Sequence, residues 1–172
     1  MKLNIIEKEV LNPLGEPKKN KIKLNPIKSP IKTICYVDNT KPNADVILNH
    51  INHLFGNIDS INISKPAGAP AGDDDIQKAV KADLTILALG DCGSCTTWVI
   101  LDAIKLERAG NSTISICSHK FSDFARNLAE SYGASGLRIL EIEHPIAGLD
   151  EEEIELKVQN VLQKLNKLIK IT

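Results

Sequence analysis

Leu84-Thr85-Ile86-Leu87-Ala88-Leu89-Gly90-Asp91-Cys92-Gly93-Ser94-Cys95 is the stretch whose reading decides the fold. It begins as an apolar run, the pattern of a strand covered on both faces. It then turns polar and passes directly into an amphipathic period that lasts to Gly110. Strand, short loop and helix in that order form the repeating unit of a parallel α/β sheet. The loop between them carries two thiols three residues apart. A helix N-terminus stabilises negative charge, so a thiol there ionises more readily, and the thiolate is the reactive form.

Working outward, the same alternation recurs. Thr33–Val37 reads as a first strand and Ala44–Phe55 as a helix with Ile47, Leu48, Ile51, Leu54 and Phe55 on one face. Ser60–Ser64 is a second strand. Lys65–Gly72, with two Pro and two Gly, is a loop before a short helix over Asp74–Lys81. After the strand Leu84–Leu89 comes a helix over Cys95–Ala109, stopped by Gly110. Thr113–Cys117 is a fourth strand. Phe121–Tyr132 is a fourth helix, with Phe121, Phe124, Ala125, Leu128 and Tyr132 at helical spacing. Leu137–Ile142 is a fifth strand. The last helix opens at Asp150, a good N-cap, with three Glu suited to the helix dipole. Ile154, Val158, Val161, Leu162, Leu165 and Leu168 are its apolar stripe. The expected fold is therefore a single-domain α/β protein with a doubly wound, mostly parallel five-stranded sheet, flavodoxin-like or Rossmann-like. Strand order 2-1-3-4-5 is expected, with 3-2-1-4-5 as the alternative. Residues 1–30, broken by Pro13, Pro17, Pro26 and Pro30, read as an irregular N-terminal arm with one short strand near Leu3–Val10; residues 31–172 are the α/β domain.

At 172 residues the chain can bury a sizeable core. Its 21 basic and 22 acidic residues nearly cancel, so no broad field is built for nucleic acid or anionic lipid. The basic cluster Lys18–Lys23 reads as a solvated arm. No run reaches the ~20 apolar residues of a membrane span. Early Glu7 and Glu9 do not fit a signal peptide. The expected location is the cytoplasm, where thiols stay reduced. Four cysteines could make two disulfides, but Cys35 and Cys117 lie in apolar runs and only Cys92 and Cys95 share a loop.

In an open α/β sheet, ligands bind beyond the carboxyl ends of the strands, where strand order reverses. Order 2-1-3-4-5 puts that point between the first and third strands. The loops Asp38-Asn39-Thr40-Lys41 and Asp91-Cys92-Gly93-Ser94-Cys95-Thr96 then meet at one crevice, with Ser118-His119 and His144 on the next loops. The expected catalytic residues are Cys92, Cys95, Asp91 and His144. The expected substrate-binding residues are Asp38, Asn39, Thr40, Lys41, Gly93, Ser94, Thr96, Ser118 and His119. Plainer readings stand beside these. Asp38-Asn39-Thr40 could cap the first helix. His119 and His144 could be surface or turn residues, Trp98 could be core or wall the pocket mouth, and His50 and His53 read as structural or surface. Cys117 is a candidate resolving thiol.

Cys92-Gly93-Ser94-Cys95 resembles the hallmark of the UGSC family of small bacterial proteins and selenoproteins, named for selenocysteine-Gly-Ser-Cys. The resemblance extends over Asn39-Thr40-Lys41-Pro42-Asn43-Ala44, Gly90-Asp91, Thr96, Trp98, Asp102, Glu107, Gly110, Phe121, Ala125 and His144-Pro145. More distantly, Cys92–Thr96 through Glu107–Gly110 is similar to the selenocysteine segment of the selenoprotein subunits of glycine and proline reductases, where a selenolate takes part in reductive C–N cleavage. The selenium position falls on Cys92; a cysteine there is a weaker, less ionised nucleophile. The resemblance implies redox-active thiols.

Three functions compete. The first is a thiol-dependent oxidoreductase using a Cys92–Cys95 pair on a small-molecule or thiol/disulfide substrate, with a thioredoxin-type reductant and no cofactor. The second is a zinc protein using Cys92, Cys95, His119 and His144. The third is a non-catalytic ligand- or partner-binding module. The phosphate-loop and dinucleotide glycine motifs are both absent. No nucleic-acid or membrane partner is expected, and assembly into a homo-oligomer is left open.

Overall fold

A computed structural model describes residues 21–56 and 58–170. The short strand expected near Leu3–Val10 lies outside them. The elements run β1 (Thr33–Asp38), α1 (Ala44–Phe55), β2 (Asp59–Ser64), α2 (Asp73–Ala79), β3 (Leu84–Gly90), α3 (Gly93–Arg108), β4 (Ser112–Ser118), α4 (His119–Ser131), β5 (Ile139–Ile142) and α5 (Glu151–Lys170). The sheet order is β2-β1-β3-β4-β5 with every pairing parallel. This is the first of the two expected orders. No helix among the described residues is long and apolar enough to cross a membrane.

Two apolar clusters explain the layering. Ile34, Tyr36, Leu84, Ile86, Ile114 and Ile116 face one side of the sheet, where Ile47 and Ile51 of α1 and Ile154, Val158, Val161 and Leu165 of α5 pack on them. The alternate residues Cys35, Val37, Leu87 and Cys117 face the other side. There α2, α3 and α4 bring Ile76, Val99, Ile100, Ala103, Ala125 and Ala129. Strand periodicity of two sends each strand to both layers, so β3 and β4 are buried along their whole length, with Thr85, Thr113 and Ser115 as buried polar side chains among the apolar ones.

The period breaks once, at the mouth of the site. Ala88 and Leu89 both join the first cluster, and the β3–β4 register shifts between Ala88 and Gly90. The Ala88–Leu89 peptide is cis. Asn39 grips the irregularity: its Nδ2 donates to Leu89 O at 2.8 Å and its Oδ1 accepts from Leu89 N at 2.7 Å.

The helix starts correct several expectations. Helix α3 begins at Gly93, with Cys92 as its N-cap, rather than at Cys95. Asp38, Asn39 and Thr40 do not cap α1; its N-cap is Asn43, in the left-handed region at φ 65°. The Asn43 amide instead donates to Ile146 O and Leu149 O, which ties the β1 loop to the β5–α5 connection. Helix α4 starts at His119, and its buried face is Ser122, Ala125 and Ala129, while Phe124 and Tyr132 lie exposed. Trp98 is half-buried and belongs to neither cluster. Asp150 caps α5 reciprocally, its Oδ1 accepting from Glu153 N while Glu153 Oε2 accepts from Asp150 N.

Candidate functional site: a thiol pair at the head of α3

Cys92 is partly exposed and Cys95 is fully buried. The extended backbone of Cys92, φ −161° and ψ 168°, turns its side chain back over the first turn of α3. Its sulfur then accepts the Cys95 N–H at 3.2 Å, and Thr96 N donates to Cys92 O at 3.0 Å. An N-cap normally offers an oxygen to these orphan N–H groups. Here a sulfur takes that place, which favours its ionised form.

The two thiols are pushed in opposite directions. Partial burial raises the Cys92 pKa, but the Cys95 thiol, the Cys95 N–H, the Lys41 ammonium and the Ser94 N–H together bring it below the usual 9.0. Burial and then the neighbouring Cys92 sulfur push Cys95 up, although the Asp91 N–H donates to its sulfur at 3.1 Å. The Cys95 thiol lies 3.3 Å from the Cys92 carbonyl oxygen. Cys35 and Cys117, both buried, are pushed up to about 12 by burial.

Gly90 makes the close packing beneath the pair possible. A Cβ at this position would stand 2.6 Å from Cys117 Sγ and 2.9 Å from Thr96 Oγ1. Cys117 is therefore under the loop, and the charge of Cys95 bears on it. The hydroxyls of Thr96 and Ser118 are buried without a hydrogen-bond partner. At the rim, Gly68 of the β2–α2 loop approaches Ser94, whose Oγ would be 3.9 Å from a Cβ there.

A second polar line leads away from Asp91. Its carboxylate, 5% exposed, lies 3.0 Å from His144 Nδ1. Where the carboxylate accepts, Nδ1 is the donor of this bond. The His144 N–H donates to His119 Nδ1 at 3.1 Å. The loop after β3, the first residue of α4 and the loop after β5 are thus joined at Asp91, His119 and His144.

The expected binding residues divide accordingly. Lys41 is near enough to act on both thiols. Gly93 and Ser94 are exposed at the start of α3. Asn39 is buried with its amide committed to Leu89, so it positions β3. Thr40 is exposed, its N–H donating to Asp38 and its Oγ1 to Lys65 O at 3.2 Å. Asp38 is half-buried, and burial raises its pKa against the pull of the Thr40 N–H. Ser118 is fully buried. The four side chains of the zinc reading do not gather: among the described residues no three His, Cys, Asp or Glu stand together as a ligand cluster.

Sequence reading missed one pair that shapes the site. Lys65 Nζ and Asp102 Oδ2 are 3.1 Å apart, each side chain 2% exposed. Lys65 also donates to Ala69 O at 2.6 Å, and Asp102 accepts from Ala71 N. The pair bolts the β2–α2 loop to the side of α3. A lysine in a Pro/Gly-rich loop reads as solvated; what could have flagged it is that Asp102 falls on the buried face of α3, where an acid needs a partner.

The sequence profile of the UGSC family matches residues 9–171. The chain belongs to the UGSC family. The match covers the fold and every residue described above, the Cys92–Cys95 loop included. Among curated proteins none matches the chain.

Proposed function

We propose that this UGSC protein is a thiol-dependent oxidoreductase in which Cys92 attacks and Cys95 resolves. One observation carries the reading: within a single helical turn, the partly exposed Cys92 sulfur stands at the N-cap of α3 and accepts the Cys95 N–H at 3.2 Å, while Cys95 is buried beneath it, which makes the first thiol more acidic and the second less so. A nucleophile needs access and thiolate character; a resolving thiol needs only reach.

For a disulfide substrate the steps balance as follows. The Cys92 thiolate attacks one sulfur, forms a mixed disulfide and expels the first thiolate. Cys95 then loses its proton, attacks the Cys92 sulfur and expels the second thiolate. The substrate gains two electrons and two protons, and the protein holds a Cys92–Cys95 disulfide. A thioredoxin-type dithiol reduces it in turn. The Asp91–His144 pair is suited to take the Cys95 proton and return one to a departing thiolate. Lys41 supports the Cys92 thiolate or holds an anionic substrate group. Such a cycle suits a reducing compartment such as the cytoplasm.

The test is alkylation with iodoacetamide across graded pH, each cysteine followed by peptide mass spectrometry. Cys92 is expected to react first, with a midpoint below 9.0. Preferential labelling of Cys95, Cys35 or Cys117 would overturn the assignment.

A further inference from the structure

The β5 edge of the sheet is open. Among the described residues β5 pairs only with β4. Arg138 O accepts from Ser115 N, so the alternate residues Leu140 and Ile142 also turn their backbone groups toward β4. The N–H and C=O groups of Ile139 and Glu141 then point the other way, at the free edge. Helices α4 and α5 wall a groove of about 450 Å³ along this edge, with Leu137, Ile139 and Leu140 as its floor. None of the four cysteines lines it, nor do His119 and His144.

The charge around this groove is one-sided. Arg126 comes from α4, Arg138 precedes β5, and Lys164 and Lys167 come from α5. Arg126 is neutralised by Glu141 at 2.8 Å, and Arg138 by the buried Glu107 at 3.1 Å. Lys164 and Lys167 are exposed, and among the described residues neither has a carboxylate within ion-pair distance. Earlier on α5, Lys157 donates to the carbonyl oxygens of Glu143 and Pro145 beyond the end of β5. Lysines beside an edge also deter it from pairing with its own kind. A second copy laid β5 against β5 would set these cations against one another, which disfavours it and favours an acidic occupant.

We propose that the β5 edge docks an extended acidic segment of a partner protein, which joins the sheet as a further strand. The backbone of the segment would take up the free N–H and C=O groups of Ile139 and Glu141. Charge complementarity would then select its side chains. A strand sends alternate side chains to opposite faces, here to the two walls of the groove. On the α5 wall, Lys164 and Lys167 call for Asp or Glu at every second position. On the α4 wall, Arg126 is already neutralised and Leu137 and Ile139 pack with Ala125 and Ala129, so apolar residues fit between the acids. The recognised pattern is thus alternating acidic and apolar residues along the four residues of β5. The inference goes beyond the thiol chemistry and stands without it.

The test is ¹H–¹⁵N NMR of the full chain titrated with the capped peptide Glu-Val-Glu-Val-Glu-Val-Glu. Saturable shifts are expected along β5. The Ile139 and Glu141 N–H groups should gain protection from hydrogen exchange, while those of Leu140 and Ile142, turned toward β4, change little. Lys164→Glu combined with Lys167→Glu, both at exposed positions, should weaken binding about tenfold and leave the rest of the spectrum in place. Four results would each overturn the proposal. They are no saturable shift, shifts without new protection at Ile139 and Glu141, equal binding by the peptide with Gln in place of Glu, and an oligothymidylate saturating the same resonances.

Discussion

Replacing Gly90 by Ala tests how the core and the thiol loop are joined. The added Cβ would lie 2.6 Å from Cys117 Sγ, 2.9 Å from Thr96 Oγ1 and 3.3 Å from Cys117 Cβ. Nonbonded heavy atoms settle at ~3.5–4.0 Å, so the sulfur and the strand must separate by about 1 Å. Both groups are fully buried, between β3, β4 and the first turn of α3, so neither has room to swing away. Overpacking of this kind costs about 1–3 kcal/mol. In a chain of this length that lowers Tm by roughly 2–12 °C. Gly93→Ala is the internal control. Nothing lies within 4 Å of its Cβ position and the residue is helical, so that change should be neutral or stabilise by up to ~1 kcal/mol. The assay is urea denaturation of wild type, both single variants, Cys117→Ala and the Gly90→Ala/Cys117→Ala double variant. Removing the sulfur should recover ~0.5–3 kcal/mol of the Gly90→Ala loss as a coupling energy. Additive losses, or a Gly90→Ala protein as stable as wild type, would refute the packing argument.

Three further outcomes follow from the site. Lys41→Met should raise the pH midpoint of Cys92 alkylation and change stability little, because the lysine is partly exposed; an unchanged midpoint leaves it only a substrate-binding role. Lys65→Met leaves Asp102 buried and unpaired, and should cost about 3–5 kcal/mol in denaturation while Lys28→Met, at an exposed pair, costs under ~1 kcal/mol. Because the folded Cys92 pKa is lowered, its ionisation stabilises the native state in full above the unfolded value of 9.0 and not at all below the folded value. The stability difference between wild type and Cys92→Ser should therefore shift in favour of wild type as pH rises through that window, and a pH-independent difference would contradict the lowered pKa.

The sheet was legible because the runs at β1 and β3 are mostly apolar and buried on both faces, and they stand out between Gly- and Pro-marked loops. The strand order was legible only to two alternatives, 2-1-3-4-5 and 3-2-1-4-5, of which the structure has the first. The head of α3 was misread by two residues for a chemical reason: cysteine is not among the usual capping residues, so nothing marked Cys92 as the N-cap. On helix α4, Phe121, Phe124, Leu128 and Tyr132 keep helical spacing, yet the buried face is Ser122, Ala125 and Ala129 with Leu128 packed beside them, and Phe124 and Tyr132 stay exposed. At the site, Asp91 and His144 lie in loops and Cys92 and Cys95 at the head of α3, which the sheet topology brings together. Asn39, Asn43 and the Lys65–Asp102 pair were not legible as framework, since each acts on a backbone or side chain distant in sequence.

The central claim is that Cys92 and Cys95 work as one redox pair, and the most direct measurement is the product of mild oxidation. The folded protein is treated with a slight excess of oxidised glutathione, quenched with acid, digested and mapped by mass spectrometry. The account predicts a disulfide between Cys92 and Cys95 in one peptide, about two hydrogens lighter than the dithiol, with Cys35 and Cys117 still reduced and the disulfide reversed by thioredoxin. A stable mixed disulfide on Cys92 with Cys95 still free, or a bond from Cys92 to Cys117, would contradict it.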